Sequence, residues 1–131
     1  MIIIKILLTR GYVVIIAGHS ECGGVSASLK AVQSGGSPDR TIPEYPASYP
    51  LNRWLAPLTE FIATLDISSL PFEEALPIAV EANVKRQVEH LSGAAEITNG
   101  KKEVWVHGWV YDLATGRLRD LEISRPAVAA V

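Results

Sequence analysis

The sequence predicts an α/β fold, and three observations carry that prediction. Tyr12–Gly18, "YVVIIAG", is a continuous β-branched run closed by a glycine. Such a run reads as a strand buried on both faces, the pattern of a parallel sheet. Gly23 and Gly24 then permit a tight turn, and Val25–Val32, "VSASLKAV", reads as a short helix opening just past the strand. Strand, glycine turn and helix start make an α/β unit with its site at the strand's C-terminal end. Finally, Glu103–Ser124 reads as two strands around a turn, so the chain ends on a β-hairpin.

The remaining elements follow from periodicity and punctuation. Gln33–Pro50 holds four prolines and two glycines and reads as a loop. Pro50 suits a helix start. Leu51–Leu65 is predicted helical, with Leu51, Trp54, Leu55, Leu58, Phe61, Ile62 and Leu65 on one broad face and Pro57 as a kink or division point. Pro71–Gly93 is the clearest helical stretch: Val80, Val84, Val88 and Leu91 recur at helical spacing. Glu81 and Lys85 form an i,i+4 pair, and Gly93 fits a C-terminal cap. In the hairpin, Val104, Val106 and Val110 with Trp105, Trp109 and Tyr111 favour strand. "DLATG", ending at Gly116, is its turn, and Leu118 and Leu121 are the apolar anchors of the return strand. Trp105 and Trp109 share one face and read as core or interface rather than a ligand box.

Length and composition bound the function. A chain of 131 residues is one domain by default, 1–131, and long enough for a core without staples. Hydrophobic residues are 48% and charged residues 20%, an ordinary globular balance. The net charge is -2 and no basic stripe stands out, which favours neither nucleic acid nor an anionic membrane as partner. A single cysteine, Cys22, allows no intrachain disulfide and fits a reducing compartment. "MIIIKILL" is too short to span a bilayer and carries Lys5, so it reads as core. The expected location is cytoplasmic, with a mitochondrial one left open.

The chemistry concentrates in Val13–Ala27, "VVIIAGHSECGGVSA", where His19 precedes Cys22 by three residues. Alone, that is half of a metal site. "GHSECGGV" (Gly18–Val25), "LNRWL" (Leu51–Leu55), "EANVKRQVEHL" (Glu81–Leu91) and "VHGWVYDLATGRL" (Val106–Leu118) come in a definite order. In that order they resemble the β-class carbonic anhydrases, the first segment matching the family's second zinc motif. The resemblance implies a mostly parallel sheet flanked by helices, usually dimeric or a multiple of dimers. It implies a zinc held by two cysteines and a histidine, of which His19 and Cys22 are two, with Gly23 lining the site. It also implies reversible hydration of carbon dioxide to bicarbonate and a proton, with zinc lowering the pKa of a bound water to roughly 7.

One part of the family pattern is missing. The first motif, Cys-x-Asp-x-Arg, has no counterpart, because the chain has no second cysteine. Ser37–Arg40, "SPDR", does not replace it: it lacks a cysteine and follows the histidine motif. No catalytic Asp–Arg pair is therefore assigned. The sequence resembles a family member without its N-terminal part. Zinc with only His19 and Cys22 is expected to be weakly held, and hydration impaired or absent. The alternative is a non-catalytic homologue, a homodimer or a modulator of a fuller partner. Glu21, His90 and His107 are available donors that do not match family ligand positions. Loss of the preceding strands would bare one edge of the Tyr12–Gly18 strand. Ile2–Leu8 can answer this as an antiparallel strand after a "TRG" turn, or can be helical. Ile2, Ile3, Ile4 and Ile6 favour the strand.

Overall fold

The computed structural model describes residues 2–8, 11–94 and 103–126. They form β1 (Ile2–Leu8), β2 (Gly11–His19), α1 (Gly23–Gln33), α2 (Pro50–Ala63), α3 (Phe72–Ser92), β3 (Glu103–Asp112) and β4 (Arg117–Pro126). The chain divides into two compact units. Met1–Ser20 and Glu81–Val131 make one, and Glu21–Val80 makes the other.

The first unit is built on a sheet of order β1-β2-β3-β4. β2 and β3 pair in parallel, from Gly11 with Glu103 to His19 with Tyr111. β1 pairs β2, and β4 pairs β3, in the antiparallel sense. The sheet expected to be mostly parallel is thus mixed. The reason lies in the connections. Two residues join β1 to β2 and four join β3 to β4. Links that short return a strand antiparallel, whereas a parallel pair needs a long crossover. Only β2 to β3 has one, and α1, α2 and α3 lie within it.

Ile2–Leu8 is the strand that its β-branched content favours. It lies along β2 with Ile2 opposite Ala17 and Leu8 opposite Gly11. Thr9 and Arg10 of the expected turn lie outside the described residues.

β2 is buried without a break from Val14 to Gly18, on both faces as its sequence predicts, while burial alternates along β3. The parallel register sets Val14 beside Val106 and Ile16 beside Gly108, and Val14, Ile16, Val104, Val106 and Val110 are buried. Burial of each such side chain contributes about 1.5–3 kcal/mol. α3 comes close to this face at Gly108. A Cβ there would stand 3.0 Å from Val84 Cγ1 and from Val88 Cγ2. Val84 and Val88 are themselves buried, as their spacing predicts, while Leu91 is only half-buried.

The opposite face of β3 carries Trp105, His107, Trp109 and Tyr111. Trp105 is a surface residue, 38% exposed, with its Nε1 donating to Glu103 Oε1 at 2.8 Å. Its ring lies nearly parallel to that of His107, with centroids 6.4 Å apart. His107 Nδ1 is 2.7 Å from Ser124 Oγ.

β4 departs from expectation. Leu118 is 56% exposed and Leu121 half-buried, so neither anchors a core. β4 is an edge strand, and most of its residues face solvent. The register slips from Gly108–Ile123 to Trp109–Asp120, and within this bulge Glu122 takes φ 57°. Asp120 Oδ1 accepts from the Glu122 N–H at 2.8 Å and caps the distortion. Glu81 pairs with Arg119 of β4 instead of Lys85, and Glu89 pairs with Arg125 at 2.8 Å. Exposed pairs of this kind contribute about 0–1 kcal/mol each.

In the second unit, α2 runs unbroken through Pro57. Of the face that periodicity suggests, Leu55 and Ile62 are buried and Leu58, Phe61 and Leu65 half-buried, but Asn52 and Thr59 take buried positions in place of Leu51 and Trp54. Trp54 is 72% exposed and Leu51 is also exposed. The polar positions win because each is fully hydrogen-bonded, which offsets the cost of burial. Asn52 Oδ1 accepts from the Ile42 N–H at 2.8 Å, and its Nδ2 donates to the carbonyls of Ile42, Tyr45 and Pro46 at 3.1 Å. Thr59 Oγ1 lies 2.7 Å from Thr41 Oγ1. These bonds fold the proline-rich segment onto α2. That segment has one short 3-10 turn, Pro38–Arg40, where sequence predicts only loop.

Candidate metal centre

His19 is the last residue of β2, and its position is fixed by Ser20. The Ser20 N–H donates to the Tyr111 carbonyl at 2.9 Å. Ser20 Oγ accepts from the Leu113 N–H at 2.9 Å. The end of β2 is therefore tied to the end of β3 by two bonds. His19 is half-buried, and its Nδ1 is 3.0 Å from the Ser20 carbonyl oxygen. A carbonyl only accepts, so Nδ1 carries the proton and the Nε2 lone pair is left available. Imidazoles that ligate metals are commonly oriented by such a second bond.

Glu21 follows in the left-handed region, φ 55°, and is exposed. A non-glycine residue there costs about 1–2 kcal/mol. Cys22 is the N-cap residue of α1, with φ -61° and ψ 118°. Its carbonyl accepts the first helical bond from the Ser26 N–H at 2.8 Å. Its thiol is free and half-buried. Gly23 is exposed, and nothing lies within 4 Å of where a Cβ would stand. At Gly24 that position meets Leu55 Cδ2 at 3.4 Å and the Trp54 ring at 3.7 Å, where α1 packs on α2. His19 belongs to the first unit, and Cys22 and Gly23 to the second.

The donors fit zinc in kind and fall short in number. Imidazole nitrogen and thiolate sulfur are its usual ligands, and a catalytic zinc has three from protein. Among the described residues, no three of His, Cys, Asp and Glu gather where they could hold a metal ion. His90 is exposed on α3, and His107 is engaged with Ser124. The anchoring role of Ser20 and the strained Glu21 had no sequence signal, because both depend on backbone geometry and on Tyr111 and Leu113 far along the chain.

The carbonic anhydrase family model matches residues 9–118. The chain belongs to the β-carbonic anhydrase family. A carbonic anhydrase of Candida albicans is 31% identical over 120 residues, covering 86% of this chain and 37% of that protein. One from Emericella nidulans is 27% identical over 123 residues, covering 89% of this chain and 48% of that protein. The chain thus spans less than half the length of these two relatives. Among solved structures, the β-carbonic anhydrase of Aspergillus fumigatus aligns with TM-score 0.62 and 29% identity, over 82% of this chain and 47% of that one. The Coccomyxa β-carbonic anhydrase, solved with acetazolamide, aligns with TM-score 0.65 and 23% identity, over 85% and 47%. In this β-carbonic anhydrase homologue, the matched region includes His19, Cys22 and Gly23. No helix among its described residues is long and apolar enough to cross a membrane.

Proposed function

We propose that this chain carries part of a zinc-dependent carbon dioxide hydration centre, with His19 and Cys22 as ligands and Gly23 beside them. Within these 131 residues the centre is short of one ligand, so zinc binds weakly and hydration is low or absent. The observation that carries the reading is the His19 imidazole, whose Nδ1 is held by the Ser20 carbonyl while Nε2 is left for a metal. Family membership supplies the reaction: carbon dioxide and water to bicarbonate and a proton. When bound, zinc supplies the Lewis acidity that makes water acidic near neutral pH. The chain's own residues supply two donors and a backbone at Gly23 open enough for a small substrate. A free thiol in the donor set also favours a reducing compartment such as the cytoplasm.

A second reading is a folded, non-catalytic homologue. The shortage of donors among the described residues favours it. Zinc content of the purified chain, measured beside stopped-flow carbon dioxide hydration, separates the two. Hydration above background that chelation abolishes, with zinc lost in His19→Ala and Cys22→Ser, supports the enzyme reading. A metal-free chain with no rate above background overturns it.

A further inference from the structure

Ser20 has an N–H, a carbonyl and a hydroxyl, and all three are engaged. The N–H donates to the Tyr111 carbonyl at 2.9 Å, Oγ accepts from the Leu113 N–H at 2.9 Å, and the carbonyl accepts from His19 Nδ1 at 3.0 Å. Leu113 is itself set in a bonded turn. Asp112 Oδ1 accepts from the Ala114 N–H at 2.9 Å, and the Asp112 carbonyl accepts from the Gly116 N–H at 2.8 Å. The residue after Ser20, Glu21, takes φ 55°. One peptide plane links these facts. The Ser20 carbonyl and the Glu21 N–H turn together, because the peptide unit is planar. Turning that plane over would return Glu21 to the negative φ that a residue with a Cβ prefers, and would take the carbonyl away from His19. Glu21 is strained because the carbonyl is aimed at the imidazole.

We propose that Ser20 and Glu21 are positioning residues for His19. The Ser20 hydroxyl, tied to the β3–β4 turn, holds the peptide plane in its strained setting. That setting keeps the His19 proton on Nδ1 and the Nε2 lone pair open to a metal. A free neutral imidazole favours the other tautomer, with its proton on Nε2, so without the carbonyl the ring would offer Nδ1 instead. The inference deepens the reading of His19 as a metal ligand and rests on it for metal affinity. The tautomer itself is a property of the metal-free chain.

Ring 15N NMR of His19 in the metal-free, full 131-residue chain reads the tautomer at about pH 8, where an ordinary imidazole is neutral. Zinc titration against a chelator of known affinity reads the site. In the unaltered chain the proton is on Nδ1. Ser20→Ala moves the ring toward the Nε2–H form and weakens zinc binding about tenfold, the usual size of loss when a ligand's outer partner is removed. Ser20→Thr keeps a hydroxyl and restores both. Glu21→Val disfavours positive φ and moves the tautomer the same way from an exposed position. It decides the matter if Ser20→Ala does not fold. A tautomer unchanged by Ser20→Ala and by Glu21→Val overturns the proposal, and so does an Nε2–H ring in the unaltered chain. A chain that takes up no zinc while its tautomer shifts in these variants overturns the metal reading and supports the positioning.

Discussion

Gly108 and Val88 meet with no room for a methyl group between them: a Cβ on Gly108 would stand 3.0 Å from Val88 Cγ2. Val84 Cγ1 is equally close, and Ile123 Cδ1 lies at 3.3 Å. β-Branched side chains on a helix have little rotamer freedom with which to move aside. Gly108→Ala therefore lowers stability by about 1–3 kcal/mol, as overpacking does. Denaturant unfolding checks this. An unchanged midpoint would mean that α3 shifts freely on the sheet.

Asn52 tests the second unit. It is fully buried, and it bonds to backbone groups of Ile42, Tyr45 and Pro46. Asn52→Leu takes the side-chain partner from those part-buried groups, at a cost of about 1 kcal/mol or more. Proteolysis within residues 41–49 should become faster. Cleavage at the original rate would show that the segment is held by other contacts.

Glu21 gives a prediction of opposite sign. At φ 55° glycine is relaxed and a β-branched residue is strained. Glu21→Gly leaves stability equal or raises it by up to about 1 kcal/mol, and Glu21→Val lowers it by about 1–2 kcal/mol. Thermal melts of the pair measure the difference. Equal melting temperatures would remove the strain.

Asp112 supplies a pH dependence. The Thr115 side chain and then the Ala114 N–H hydrogen-bond its carboxylate, and these hold it below its ordinary value of 3.8. A depressed carboxyl stabilises the fold above the unfolded value, and that contribution is lost as pH falls through the folded one. Asp112→Asn should flatten the acid limb of the hairpin's stability below about pH 4. Carboxyl NMR titration tests the shift directly. An Asp112 that titrates at its ordinary value would exclude the capping role.

The metal ligands have an optical test. Cobalt added to the chain should give thiolate-to-metal charge-transfer absorption, absent in Cys22→Ser and weakened in His19→Ala. Absorption that survives Cys22→Ser would place the cobalt elsewhere, since there is no other cysteine.

What was legible in the sequence was local or repeated. Val13–Ile16 announces β2, and Val80, Val84 and Val88 announce the buried stripe of α3; the turn, expected at Gly23 and Gly24, falls on Ser20 and Glu21, and the two glycines open α1 instead. His19 and Cys22 stood out because their spacing is a ligand pattern. What was illegible depends on distant partners. Asn52 and Thr59 displace Leu51 and Trp54 from the buried face of α2 because Ile42 and Thr41 satisfy them. Glu81 turns to Arg119 because β4 lies nearer to hand than any helical rule can indicate. The mixed sheet follows from loop lengths, which outweighed the parallel pattern of a single strand.

The parallel pairing of Gly11 with Glu103 also sets an order of assembly. The helical unit, Glu21–Val80, is continuous in sequence, while the sheet unit is split around it. The β1–β2 hairpin is synthesised before β3 and waits for it through the synthesis of α1, α2 and α3. Long-range closure of this kind slows folding. During that interval β2 presents an unpaired apolar edge, and capture of that edge is the hazard the nascent chain must outlast.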